Sequence, residues 1–361
     1  MDIIELLKLM VEKRASDLHL RVPSRPVLRI DGELVIQEQM APLTAEDIEA
    51  SFEYITSQDQ RSRFHLEKDL DFAYSVPGVA RFRVSTMRQR GTISLVFRLV
   101  PFKVFTIDEL GLPQICKGLI LKPRGLILVT GPTGSGKSTT MAAMVNYLNE
   151  NLARNVITIE DPIEYLHPNI KCLISQRDLG DDTKSFDTAL VHALRHDPDV
   201  IVVGELRDLE TISTAMRAAE TGHLVMGTLH TTDAPQTVDR IIDIFPPNQQ
   251  PQIRLQFSQI IEAVLSQALL PRAEGKGRVA AFEIMLGNSA VRNLVREGKT
   301  FELHSVMQLS ASEGMQTLDQ ALADLVRKKI VTLEEAKMKS SHPDRMKKLL
   351  DYHPPTNIRQ G

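Results

Sequence analysis

Nine consecutive residues, Gly131-Pro132-Thr133-Gly134-Ser135-Gly136-Lys137-Ser138-Thr139, combine glycines, one lysine and several hydroxyls in the spacing GxxxxGK[ST]. That pattern suits a phosphate chain. Gly134 and Gly136 let backbone N–H groups turn inward where a Cβ would block close approach. Lys137 is placed to bridge the β- and γ-phosphates of a nucleotide, and the Ser138 hydroxyl to sit on Mg²⁺; a kinase, a GTPase or a motor could each carry such a loop. Two acidic segments and a histidine extend the chemistry. Glu160-Asp161-Pro162-Ile163-Glu164 offers three carboxylates in five residues, and one of them is suited to orient an attacking water. Spacing alone leaves Glu160 and Glu164 as alternatives. Glu205 follows an apolar run, where a Walker B carboxylate holds Mg²⁺ directly or through water. His230 lies among hydroxyls in Gly227-Thr228-Leu229-His230-Thr231-Thr232 and reads as a γ-phosphate sensor. His223 is about 20 Å from it on an extended strand, too far to share a metal, and its role stays open.

These residues need a frame. Leu126–Thr130, Val156–Ile159, Val200–Val203 and Leu224–Leu229 are short, continuous β-branched and aliphatic runs alternating with helical segments, the pattern of a parallel sheet covered on both faces. Each chemical segment follows one of those runs, at the strand ends where ligands bind in open α/β folds. Thr139–Leu148 is compatible with the helix that a phosphate loop must open. Before this region, residues 1–100 read as a smaller α+β domain. It has an amphipathic helix over residues 3–11, a strand Asp17–Val22, and an Asp31-Gly32 turn between Val27–Ile30 and Leu34–Ile36. A helix over 44–66 and strands Asp71–Val76, Ala80–Thr86 and Thr92–Leu99 complete it. Residues 101–123 read as a linker with a brief helix at Gln114–Leu121. The α/β core spans 124–270, and residues from about 250 read as helical. The C-terminal region, 271–340, is mainly helical with one hairpin turning at Gly275-Lys276-Gly277. Residues 341–361 read as a mobile tail.

Composition narrows the class. The chain has 361 residues, a formal charge of −3 and two cysteines, so no disulfide framework or zinc module is supported. No basic bias indicates nucleic acid. Nothing approaches the apolar length of a membrane span, and the N-terminus lacks a signal-peptide pattern, so a cytoplasmic protein without membrane insertion is expected.

Taken in order, the phosphate loop, ITIEDPIEYLH, RHDPDVIVVGELRD and AAETGHLVMGTLHT resemble the secretion ATPase superfamily that powers type II secretion and type IV pili. The likeness is greatest to its PilT-type pilus retraction ATPases. ASDLHL, GVARFRV, Gln89-Arg90-Gly91, Ala290-Val291-Arg292-Asn293-Leu294-Val295-Arg296-Glu297 and Gly314–Gln320 carry it over roughly residues 1–335. Ser85 departs from the asparagine usual in the RFRVN run.

The resemblance implies a homohexameric ring of subunits, each with a PAS-like N-terminal domain and a RecA-like P-loop ATPase domain, binding ATP between them. It implies Glu164 as catalytic base, Glu205 as the Mg²⁺-associated acid, and His230 in the nucleotide pocket. Arg81, Arg83 and Arg98 would neutralise charge on the phosphates, although cross-strand ion pairing on a solvated sheet face is an alternative for each. The implied partner is an inner-membrane platform protein of the pilus machine, with the ATPase peripheral to that membrane. The AVRNLVRE helix and the missing four-cysteine module favour retraction over assembly, and an exposed charged side of that helix would meet the pilus base. A nucleic-acid translocase and a nucleotide-binding ring component without hydrolysis are the rival readings.

Overall fold

The computed structural model describes residues 2–100 and 104–351, and the chain forms two compact units. The first comprises residues 1–103 with 162–166 and 178–182. It contains α1 (Ile3–Glu12), β1 (Asp17–Arg21), β2 (Val27–Ile30), β3 (Glu33–Ile36), α2 (Ala45–Ile55), α3 (Gln58–Glu67), β4 (Asp69–Val76), β5 (Ala80–Gln89) and β6 (Thr92–Val100). The strands form one antiparallel sheet in the order β3-β2-β1-β6-β5-β4. Alternation along β5 buries Phe82, Val84 and Thr86 and turns Arg81, Arg83 and Ser85 to the other face. The helix expected over 44–66 is two helices. Thr56 is extended (φ −114°, ψ 145°), and Ser57 then starts α3 with a capping box to Gln60.

The second unit contains α4 (Ile115–Ile120), β7 (Gly125–Thr130), α5 (Lys137–Asn151), β8 (Asn155–Glu160), β9 (Leu173–Asp178, whose last residue groups with the first unit), α6 (Phe186–Ala193) and β10 (Val200–Val203). It continues with α7 (Leu209–Glu220), β11 (Leu224–Leu229), α8 (Ala234–Asp243), α9 (Gln250–Ile260), β12 (Ile261–Pro271) and β13 (Arg278–Leu286). The last helices are α10 (Ser289–Glu297), α11 (Leu303–Leu309), α12 (Leu318–Arg327), α13 (Leu333–Lys339) and α14 (Pro343–Asp351). The sheet order is β13-β12-β7-β11-β10-β8-β9, and β12, β7, β11, β10 and β8 run parallel. Every residue of β7, β10 and β11 is buried, as strands covered on both faces require.

Three further expectations differ from the structure. The hairpin expected at Gly275-Lys276-Gly277 is the antiparallel pair β12–β13, but its first strand reaches back to Ile261, into residues read as helical, and lies beside β7. Their continuous apolar run follows α9 without a glycine or proline boundary, and periodicity cannot separate a buried strand from a buried helix. Within the expected linker, Ile107, Leu112, Cys116, Leu119 and Ile120 belong to the core of the second unit. The prolines and glycines there interrupt hydrogen bonding without exposing the apolar residues between them. In the expected mobile tail, Pro343–Asp351 is helical and Met346 is buried in the cluster built on α12. The linker's first residues, 101–103, and the end of the tail, 352–361, lie outside the described residues.

Candidate nucleotide site

The phosphate loop leaves β7 at Thr130 and enters α5 at Lys137. Gly131 has φ +139°, and a Cβ there would stand 2.4 Å from the Gln267 carbonyl oxygen and 2.7 Å from Ser135 Oγ. Only glycine fits. Gly134 and Gly136 also have positive φ, and Gly136 caps α5 without a side-chain hydrogen bond, leaving the uncapped first-turn N–H groups as anion donors. Lys137 Nζ folds back to donate to Gly131 O at 2.8 Å and Pro132 O at 3.2 Å. Ser135 Oγ is buried without a hydrogen-bond partner, a polar atom poised for an incoming acceptor or donor.

Gln267, on β12, supports this loop from beneath and was missed by sequence reasoning because its segment read as helix. It is 3% exposed. Its Nε2 donates to Ser135 O, and its Oε1 accepts from Thr140 Oγ1 at 2.9 Å. Next to it, Ser266 Oγ accepts from Thr130 Oγ1 at 2.8 Å. The loop is therefore fastened on both sides of its strand exit by a segment more than a hundred residues away.

Glu205 lies just beyond β10. Its carboxylate is bound by Arg207 at 2.6 Å and by His230 Nε2 at 3.1 Å. Partial burial raises its pKa, but the hydrogen bonds and charges of Arg207 and His230 outweigh that, and the net shift is downward. The group is ionised at neutral pH. Gly227 makes the geometry possible: Leu206 crosses over it, and a Cβ on residue 227 would meet Leu206 Cδ1 at 2.7 Å. Arg207 is a second residue that sequence reasoning passed over; its spacing two residues from Glu205 was the available signal. Sequence order thus becomes adjacency, with His230 at the exit of β11, which lies between β7 and β10.

Other candidates separate. Glu160 Oε1 accepts from Thr158 Oγ1 at 2.6 Å and Gln176 Nε2 at 3.0 Å, whereas Glu164 is exposed and groups with the first unit. His223 stands at the opposite end of β11 from His230, its Nδ1 3.0 Å from Ala218 O.

On the first unit, Arg83 and Arg98 are directly opposed across β5 and β6, a like-charge pair that costs energy unless an anion lies near. Arg98 Nε donates to Asp17 at 2.8 Å. Arg81 pairs with the buried Asp178 at 3.0 Å. Arg83 is exposed.

The AVRNLVRE helix, α10, buries Val291, Leu294 and Val295. Arg292 is not on a free face: it donates to Gly287 O at 2.6 Å, Ser258 O at 2.9 Å, Gln259 O and Glu262 at 2.8 Å. Arg296 and Glu297 are exposed.

A phosphate loop at the end of a central parallel strand, with an ionised acid and a histidine at the ends of its neighbours, defines a P-loop nucleoside triphosphatase. The family model for type II/IV secretion system proteins matches residues 2–338. The chain is 48% identical over 344 residues to the type IV pilus retraction ATPase PilT of Pseudomonas aeruginosa, covering 95% of this chain and 99% of that protein. A twitching motility protein of Neisseria gonorrhoeae is 46% identical over 321 residues, covering 89% of this chain and 86% of that one. Among solved structures, the pilus retraction motor PilT with bound ADP superposes with a TM-score of 0.90 at 45% identity, over 96% of this chain and 99% of that one. The chain belongs to the type II/IV secretion system protein family, and it is an ATP hydrolase of the PilT retraction ATPase type.

Proposed function

We propose that this protein hydrolyses Mg²⁺-ATP as a homohexameric motor that drives type IV pilus retraction, and hence pilus disassembly and twitching motility. The observation that carries the reading is the near end-to-end match to an ADP-bound retraction motor. In this reading Gly131–Thr139 cradles the phosphates, with Lys137 on the β- and γ-phosphates. The hydroxyl of Ser138 and the carboxylate of Glu205 are hard oxygen donors suited to Mg²⁺, whose shell the nucleotide and water complete. Among the described residues no three acidic, histidine or cysteine side chains converge to hold a metal alone. Mg²⁺ would supply charge neutralisation to the phosphates. Glu164 orients water as base, and His230 reports the γ-phosphate to Glu205. Of the arginines, Arg83 is the most available to reach phosphate, since Arg81 and Arg98 already have carboxylate partners.

No helix among the described residues is long and apolar enough to cross a membrane. We place the ring on the cytoplasmic side of the inner membrane against a platform protein, with no nucleic-acid role. Replacing Lys137 by Ala should abolish ATP turnover by the purified protein and retraction in cells. Turnover retained in that variant would overturn the assignment of the loop, and turnover without retraction in the unaltered chain would overturn the motor reading.

A further inference from the structure

Glu283 lies within β13 and is 1% exposed. A carboxyl group at that depth is costly unless the protein satisfies it. Here two backbone N–H groups do so: Ala234 N donates to Oε1 at 2.8 Å, and Leu318 N donates to Oε2 at 3.3 Å. These are the first residues of α8 and α12. The N-cap side chains do not duplicate those bonds, since Asp233 reaches Gln236 N and Thr317 reaches Gln320 N. One carboxylate therefore joins the positive ends of two helices.

Among the described residues the surroundings add no cationic side chain nearer than His304. His304 Nδ1 is 3.9 Å away, and Asp233 and Asp319 contribute like charge. Glu283, His304, Thr317, Asp319 and His342 also line a cavity of about 20 Å³, room for roughly one water. A buried acid held in this way is an expensive means of fastening two helices, which points to a demand that apolar packing would not meet.

What the two helices lead to supplies that demand. α8 starts four residues after His230, and His230 is hydrogen-bonded to Glu205. α12 opens the C-terminal helical cluster, which includes Val331, Ala336 and Met346. Glu283 is also paired in register with Ser266, the residue that accepts from Thr130 at the root of the phosphate loop.

We propose that Glu283 is a positioning residue for ATP hydrolysis: it holds the first turn of α8 so that His230 stays on Glu205, and it ties that placement to the C-terminal helices through α12. A movement of α12 is then felt at His230, and a change at His230 is felt at α12, because coupling between two sites is reciprocal. The inference rests on the ATPase reading of the site.

Glu283→Gln tests it. A carboxamide keeps one acceptor and turns a donor toward the other N–H, releasing one helix end. Turnover at pH 8, where Glu283 is a carboxylate, should fall about tenfold, the scale of one lost charge-assisted hydrogen bond, with KM for ATP little changed. Because Glu283 acts through His230, the Glu283→Gln, His230→Ala double variant should be no slower than the slower single variant. Losses that multiply would overturn the proposal, as would full turnover in Glu283→Gln. A second readout does not need turnover: the imidazole NMR signals of His230 should move in Glu283→Gln while those of His223 stay. Unmoved His230 signals would sink the idea. If the unaltered chain shows no hydrolysis, the ATPase reading falls and the His230 signals still decide the positioning role. Should Glu283→Gln not fold, Glu283→Asp, which draws both oxygens back by one methylene, is read by the same measurements.

Discussion

Gln267 uses both ends of its carboxamide beneath the phosphate loop, and this gives it a testable place in nucleotide binding. Gln267→Leu leaves Ser135 O and Thr140 Oγ1 without that partner, at a cost of about 1–3 kcal/mol. ADP affinity by calorimetry should drop about tenfold, and Gln267→Glu, which still accepts from Thr140 but opposes an oxygen to Ser135 O and adds negative charge under the loop, should lose at least as much. Unchanged affinity in Gln267→Leu would remove the residue from the site. The arginines divide in the same way. Arg98→Ala takes one partner from Asp17, whose side chain is 5% exposed and which keeps Ser16 Oγ at 2.8 Å and Arg29 at 3.8 Å, and should lower the melting temperature. The loss is about 1 kcal/mol, kept small because Arg98 is itself largely solvated. Arg83→Ala relieves a like-charge opposition and should leave melting unchanged while reducing turnover. Normal turnover in Arg83→Ala would exclude it from the phosphates. None of these partners is legible in sequence: that Arg83 faces Arg98, and Arg98 faces Asp17, depends on a register joining three strands.

At the scale of elements, α10 shows how a motif with chemical residues can be mostly architecture. Its Arg292 ties the end of α9 and the start of β12 to Gly287, just past β13, with four acceptors in all, so Arg292→Ala should destabilise the fold by about 2–3 kcal/mol. Arg296→Ala should not change melting at all. If pilus contact runs through this helix, Arg296→Ala is the variant that loses retraction with ATP turnover intact. A drop in thermal stability from Arg296→Ala as large as that from Arg292→Ala would contradict this division. The alternating and continuous apolar runs were enough to foresee most strands, because burial of one or both faces writes itself into period and composition. The helix expected over 44–66 failed at Thr56 and Ser57, where a side-chain cap competes with continuation of the helix.

Across the whole molecule, the buried Glu283 should leave a mark on stability against pH. Burial, reinforced by Asp233 and Asp319, pushes its pKa up to about 7 from an ordinary 4.5. The folded state then holds this proton after the unfolded chain has released it, so stability falls as pH rises from about 4.5 to about 7 and levels off above. Glu283→Gln has no such proton. Its melting temperature relative to the unaltered protein should therefore rise between pH 5 and pH 8. A pH-independent difference would show that Glu283 ionises in the fold as it does in the open chain.

By itself the sequence determined the nucleotide chemistry, because a phosphate loop is nine contiguous residues whose conformation is dictated locally by glycine and by the helix that follows. It also determined the order of acid and histidine segments and, through resemblance, the family. Tertiary structure decided which of those groups meet. Glu160 is held by Thr158 and Gln176 while Glu164 stays exposed, Arg292 is spent on carbonyls, and Gln267 and Glu283 arrive on two strands that close the far side of the sheet. Each of these outcomes depends on pairing between segments distant in the chain. Strand register sets such pairings, and a one-residue slip would turn every side chain to the other face.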